Sequence, residues 1–194
     1  MTYIGRSRYA RLPRTSRLFV EVGSEDDETV RNNAGAWSNY ALVPRVLRSV
    51  DEVSTATTVL GYALSLPVLA GPASFHDRVN HEGEVAVARA VAAAGTGAVI
   101  QGRAAQPLPL VVAAAGDAPC FFQLYTTMDA DGLTMDRGYV ETVLTHAKSL
   151  GFAGVFVTVD TPNTGNREQT FGDPGWVSEL AAKQVHTQSS CSCE

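Results

Sequence analysis

The chain has 194 residues, 45% of them hydrophobic, and a formal net charge of −5. That is enough sequence for one domain with a sizeable core, and the charge gives no electrostatic ground for a nucleic-acid partner. No apolar run approaches the ~18 residues of a membrane span, which sets a membrane partner aside.

The first elements read as an arm. Arg6, Arg8, Arg11, Arg14 and Arg17 all precede the first acid, a pattern shared by mitochondrial transit peptides and plain basic helices. Ser24, Glu25, Asp26 and Asp27 have the acidic character of a helix start, where carboxylates meet free N–H groups. Pro44 and the following RVLRSV lead into an extended stretch, and TTVLGYALSLP reads as a short hairpin around Gly61. Residues 1–60 are taken as this helical arm and hairpin, 61–172 as the main body and 173–194 as a polar tail.

From residue 67 strands and helices alternate. PVLAG (67–71) reads as a buried strand, GEVAVARAVAAAG (83–95) as a helix closed by glycine, and GAVIQ (97–101) as a second strand. LPLVVAAAG (108–116) is a short helix and PCFFQLY (119–125) a third strand. MDRGYVETVLTHAKSLG (135–151) is an amphipathic helix with Tyr139, Val143 and Ala147 on one face, and AGVFVTV (153–159) is a fourth strand that reads as fully buried. VSELAAKQV offers one more short helix.

Strands that are apolar on both faces and alternate with helices imply a parallel sheet, either doubly wound or a (β/α) barrel. No G-x-G-x-x-G follows the first strand, which disfavours a dinucleotide fold. Ser74, Gln101, Gln123, Tyr125, Asp160 and Arg167 gather just after the strands, at the ends where barrels keep their sites. A whole barrel needs eight strands, so the expected fold class is an α/β, TIM-barrel type chain with a partial barrel of about four parallel strands behind a helical and extended arm.

Cys120, Cys191 and Cys193 make an odd count that argues against a disulfide framework and for a reducing, cytoplasmic setting. The C-x-C at Cys191 and Cys193 has no second pair to complete a zinc set and reads as spare thiols on a terminus, so no metal is expected.

Six segments then carry a resemblance: NNAGAW with PRVLRSV (32–50), STATTVLG (54–61), LPVLAGPAS (66–74), HEGEVAVARAVAAAGT (81–96), FFQLY (121–125) and TVDTPNTGNRE (158–168). In order and spacing the chain resembles the FMN-dependent 2-hydroxy-acid oxidases and dehydrogenases, the group of glycolate oxidase, lactate oxidase and mandelate dehydrogenase, over the N-terminal half of their domain. The resemblance implies a TIM barrel with FMN at its C-terminal mouth. It also implies oxidation of a small (S)-2-hydroxy acid to the 2-oxo acid.

By that resemblance Arg167 holds the substrate carboxylate, a task that suits a planar guanidinium fork. Tyr125 stands beside the substrate, where a phenol can bond it and exclude water. Asp160 corresponds to the acid that orients the family's catalytic histidine. Pro72, Ala73 and Ser74 give backbone contacts to the flavin, Gln123 reads its polar edge and Thr158 bonds its ring. Read without the resemblance, each has a structural alternative: a loop arginine, an amphipathic tyrosine, a turn acid, a buried amide that needs partners anyway, and a strand threonine favoured by β-propensity.

Two departures stand out. Phe19 takes the place of a tyrosine, and Gln101 that of a serine, which makes Gln101-Gly102-Arg103 a bulkier, more basic surface. The chain's four histidines, His76, His81, His146 and His186, do not stand in the family's base motif. The family's later features, among them its phosphate site, have no counterpart here. The expectation is therefore an incomplete fragment of an FMN-dependent oxidase without its catalytic histidine. The alternative is a non-catalytic half-barrel scaffold or interaction protein, whose open sheet edges would favour a homo-oligomer.

Overall fold

The computed structural model describes residues 12–126, 135–160 and 165–170. The basic stretch up to Arg11, the VSELAAKQV helix and the C-x-C at Cys191 and Cys193 lie outside the described residues. The chain divides into two compact units, Met1–Val50 with Asn163–Glu194, and Asp51–Pro162.

In the first unit, helix α1 spans Arg14–Glu21 and α2 spans Glu28–Gly35. The acidic run does start α2, but no side chain caps it. The Asp27 carboxylate instead accepts from the Gly23 amide at 2.6 Å and from the Gln169 amide at 2.8 Å. The Glu25 amide donates to the Asn166 carbonyl at 2.8 Å, so residues 165–170 are stitched to this helical pair. From the 3-10 turn Ala36–Asn39 onward the chain is exposed, with Trp37, Leu42 and Leu47 in solvent.

The second unit opens with the hairpin expected from its sequence. Strands β1 (Thr57–Val59) and β2 (Tyr62–Leu64) pair antiparallel. Leu60 and Gly61 between them both have positive φ, the geometry that matches a two-residue turn to the twist of its strands. Then follow α3 (Gly83–Ala93), β3 (Ala98–Gln101), α4 (Leu108–Ala115), β4 (Cys120–Tyr125), α5 (Arg137–Ser149) and β5 (Gly154–Thr158). The Asp136 side chain caps α5 by accepting from the Tyr139 amide. No helix among the described residues is long and apolar enough to cross a membrane.

Strands β3, β4 and β5 form a parallel sheet in chain order. The period of two along each strand then sorts the side chains. Ala98, Ile100 and Cys120 pack against Ala88 and Val91 of α3 and Val111 and Ala115 of α4. Phe122 and Leu124 pack against Ala147 and its neighbours on α5. All three helices therefore cover one face, the arrangement of a singly wound sheet with crossovers of one hand. The opposite face carries Val99, Gln101, Phe121, Gln123, Tyr125, Phe156 and Thr158. Burial pushes the Cys120 thiol up, away from the reactive thiolate.

Two expectations change. The stretch 67–71 is not a full strand but one parallel bridge, Ala70 to Ala98, closed by Ala70 N to Gly97 O at 3.0 Å and Val99 N to Ala70 O at 2.8 Å. Pro67 and Pro72 lack amide protons and stop the ladder on both sides. The last strand, expected to be fully buried, is largely exposed, with Val157 at 52% and Val159 just beyond it at 86%. It is the terminal strand of the sheet order, so among the described residues no strand pairs with its outer edge.

Candidate functional site

The face opposite α3, α4 and α5 gathers polar side chains at the C-terminal ends of β3, β4 and β5. Parallel register sets Gln101 beside Gln123, and Tyr125 beside Thr158. The Gln123 amide donates to Thr158 Oγ1 at 2.8 Å across the β4–β5 ladder. That bond leaves the Gln123 carbonyl oxygen as an acceptor and the Thr158 hydroxyl as a donor on the same face. Ser74, in the turn after the Ala70 bridge, donates to Gln101 Oε1 at 2.9 Å. Pro72 and Ala73 beside it are exposed.

Gln101 corrects the sequence reading. It is not surface: it is 4% exposed, and its longer side chain turns inward to meet Ser74. Arg103, in contrast, does reach out, with its guanidinium 5.5 Å from the Tyr125 ring centroid. Asp160 lies exposed just beyond β5, and among the described residues no histidine pairs with it.

In the first unit Arg167 meets Phe19, 148 positions earlier in sequence. Its Nη1 donates to the Phe19 carbonyl at 3.3 Å, and the guanidinium lies 5.3 Å from the Phe19 ring. Arg167, which the resemblance assigns to the substrate carboxylate, is thus in contact with Phe19, which takes the place of a tyrosine. The loop stretch 161–164 between Asp160 and Gly165 lies outside the described residues.

One cluster escaped the sequence reading. Glu84, in the first turn of α3, is 1% exposed. It faces His76 Nδ1 at 3.3 Å and accepts from the Gln106 amide at 3.2 Å. Burial by itself would raise this carboxyl, but bonds from His76 and from the Glu84, Ala105 and Gln106 backbone outweigh it and hold it at about 2. An acid in a first helical turn is ordinarily an exposed partner of the helix dipole, so the sequence carried no sign of burial. The cluster ties the loop before α3 to the loop after β3, which fixes the turns that carry Ser74 and Arg103. It also occupies His76. His146 sits exposed on α5, which packs against the opposite face of the sheet.

Comparisons with known proteins bear on this geometry. A family model described as FMN-dependent dehydrogenase matches residues 9–188. Glycolate oxidase 1 of Zea mays is 35% identical over 158 residues, 81% of this chain and 41% of its own length. 2-Hydroxyacid oxidase 1 of Homo sapiens is 33% identical over 156 residues, 80% of this chain and 40% of its own. Among solved structures, a chimera of (S)-mandelate dehydrogenase superposes with a TM-score of 0.77 at 25% identity, over 87% of this chain and 45% of that one. A mandelate oxidase variant solved with (S)-mandelic acid gives 0.77 at 25% identity, over 89% and 50%. The chain spans about two fifths of the length of the curated relatives it matches.

Proposed function

Since the chain belongs to the FMN-dependent dehydrogenase family, we propose that it serves the FMN-dependent oxidation of a small (S)-2-hydroxy acid to the 2-oxo acid. The observation that carries this reading is the Gln123–Thr158 pair at the C-terminal ends of two adjacent parallel strands, on the face opposite α3, α4 and α5. Its donor and acceptor, side by side, fit the alternating carbonyl and N–H groups of a flavin's polar ring edge. The singly wound order supports a partial barrel.

In this reading Gln123 and Thr158 hold the ring edge of FMN, and the backbone of Pro72, Ala73 and Ser74 lies against it. When bound, FMN supplies the two-electron acceptor. Tyr125 places a phenol toward the acid and keeps water out. By the resemblance Arg167 is the residue that takes the carboxylate, and within its own unit the Phe19 carbonyl and ring fix its direction. Asp160 would hold a general base in its charged form. The described histidines are placed elsewhere, so this reading does not draw the base from them.

The test is flavin absorption near 450 nm after incubation with excess FMN and desalting. A retained cofactor supports the reading, and a colourless protein overturns flavin binding by this chain. Gln123→Leu removes the amide and leaves the Thr158 hydroxyl short of a partner. It is expected to weaken FMN about tenfold, the loss of one hydrogen bond beside a stranded polar group. An unchanged affinity, read by fluorescence titration, would remove Gln123 from the flavin site.

A second reading, a non-catalytic scaffold built by association of copies, is favoured by one observation: the bare outer edge of β5 with Val155, Val157 and Val159 in solvent. Such an edge is a template for pairing. Sedimentation is expected to show a dimer that Val157→Lys dissociates. A monodisperse monomer would leave the scaffold without support.

A further inference from the structure

Among the described residues, Arg103 is the cation in contact with the aromatic ring proposed to stand at substrate, and its root is rigid. The Gly102 amide donates to the Gln123 carbonyl at 3.0 Å, and the Ala104 amide to the Gln101 carbonyl at 3.1 Å. A Cβ on Gly102 would sit 2.8 Å from both the Gln123 carbonyl oxygen and the Phe122 ring, so only glycine lets the turn pass this close over β4. The turn therefore delivers Arg103 to the end of β4, beside Tyr125 and two residues from the partly buried amide of Gln123. Among the described residues no carboxylate pairs with its guanidinium; its contact is the Tyr125 ring face. Stacking on an aromatic face leaves the in-plane N–H donors of a guanidinium open. An exposed cation with open donors beside a binding surface is a receptor for an anion.

We propose that Arg103 is a specificity-determining residue that selects 2-hydroxy acids carrying a second anionic group at the end remote from the hydroxyl. The proposal rests on the reading above and deepens it by naming the substrate class. An uncharged side chain at that end of the acid would leave the guanidinium with water alone. A carboxylate there would form a charge-assisted bond, with the Tyr125 ring holding the fork in place.

The test uses two product-type acids of equal chain length, 2-oxoglutarate and 2-oxovalerate, which differ in the distal carboxylate. Each is titrated calorimetrically into the full chain after incubation with FMN, beside the 450 nm measurement. 2-Oxoglutarate is expected to bind about tenfold more tightly, the ratio of one charge-assisted contact, with the ratio shrinking as salt is raised. In Arg103→Gln the ratio should fall to about one, and in Arg103→Lys to an intermediate value. Equal affinities in the unmodified chain overturn the proposal and leave the flavin reading standing. So does a ratio that Arg103→Gln does not move. A retained flavin with neither acid bound overturns the proposal at the substrate step. No flavin and no acid binding overturns both.

Discussion

Replacing Phe121 by alanine is expected to lower the free energy of unfolding by about 3–5 kcal/mol, the range for emptying a large aromatic site in a core. Phe121 is 2% exposed on the face of β4 opposite α3, α4 and α5. Its ring meets Tyr62 of the hairpin edge-on at 5.9 Å and Phe156 of β5 at 5.5 Å. Two separate segments, the hairpin and β5, therefore lean on one side chain of β4, and neither can collapse into the space without leaving the other. Urea unfolding should show a lower midpoint with an unchanged slope. Phe156→Ala, at a half-exposed position of the same cluster, should cost distinctly less. Equal costs for the two would mean that the hairpin does not depend on Phe121. Because Phe121, Gln123 and Tyr125 alternate onto one face, the same variant should also loosen the Gln123–Thr158 pair above it, the proposed flavin contact.

Acid should weaken the second unit through Glu84. Its folded carboxyl lies at about 2 against an ordinary value of 4.5, so the folded state binds the proton less readily than the unfolded chain does. The sign follows by linkage: the stabilisation is fully present above pH ~4.5 and is lost as pH falls from there toward 2. The difference corresponds to roughly 2–3 kcal/mol once partial screening is allowed for. Glu84→Gln keeps the shape and removes the charge. It should be less stable than the parent at pH 6 and should flatten the pH dependence between about 4.5 and 2, read from urea midpoints at each pH. A variant with the parent's full acid sensitivity would move the effect to other carboxylates.

Much of the fold was legible in the sequence because its signals are local. Helix α3 ends in an alanine run closed by Gly95, α5 has its apolar stripe on Tyr139, Val143 and Ala147, and the hairpin has its Leu60-Gly61 turn; each appears where the pattern put it. That the candidate residues Gln123, Tyr125 and Thr158 would share one face at their strand ends was also readable, since a strand's period of two and its C-terminal end follow from the chain alone. The six family segments told which chemistry to look for.

What the sequence could not decide was set by neighbours. VFVTV spells a buried strand in composition, yet burial depends on what lies beside and over it, and β5 is the last strand of its sheet. PVLAG spells a strand too, but two prolines without amide protons reduce its ladder to one bridge at Ala70. Whether Gln101 would point to solvent depended on Ser74, 27 residues away, offering its hydroxyl. Glu84 became a buried, strongly acidic carboxylate because His76 and Gln106 converge on it from two different loops. Arg103 came to rest on Tyr125 because Gly102 let one turn pass close over β4. Propensity and periodicity are properties of a segment and are written in its residues. Solvation, pairing and charge are properties of a place, and only the tertiary structure makes the place.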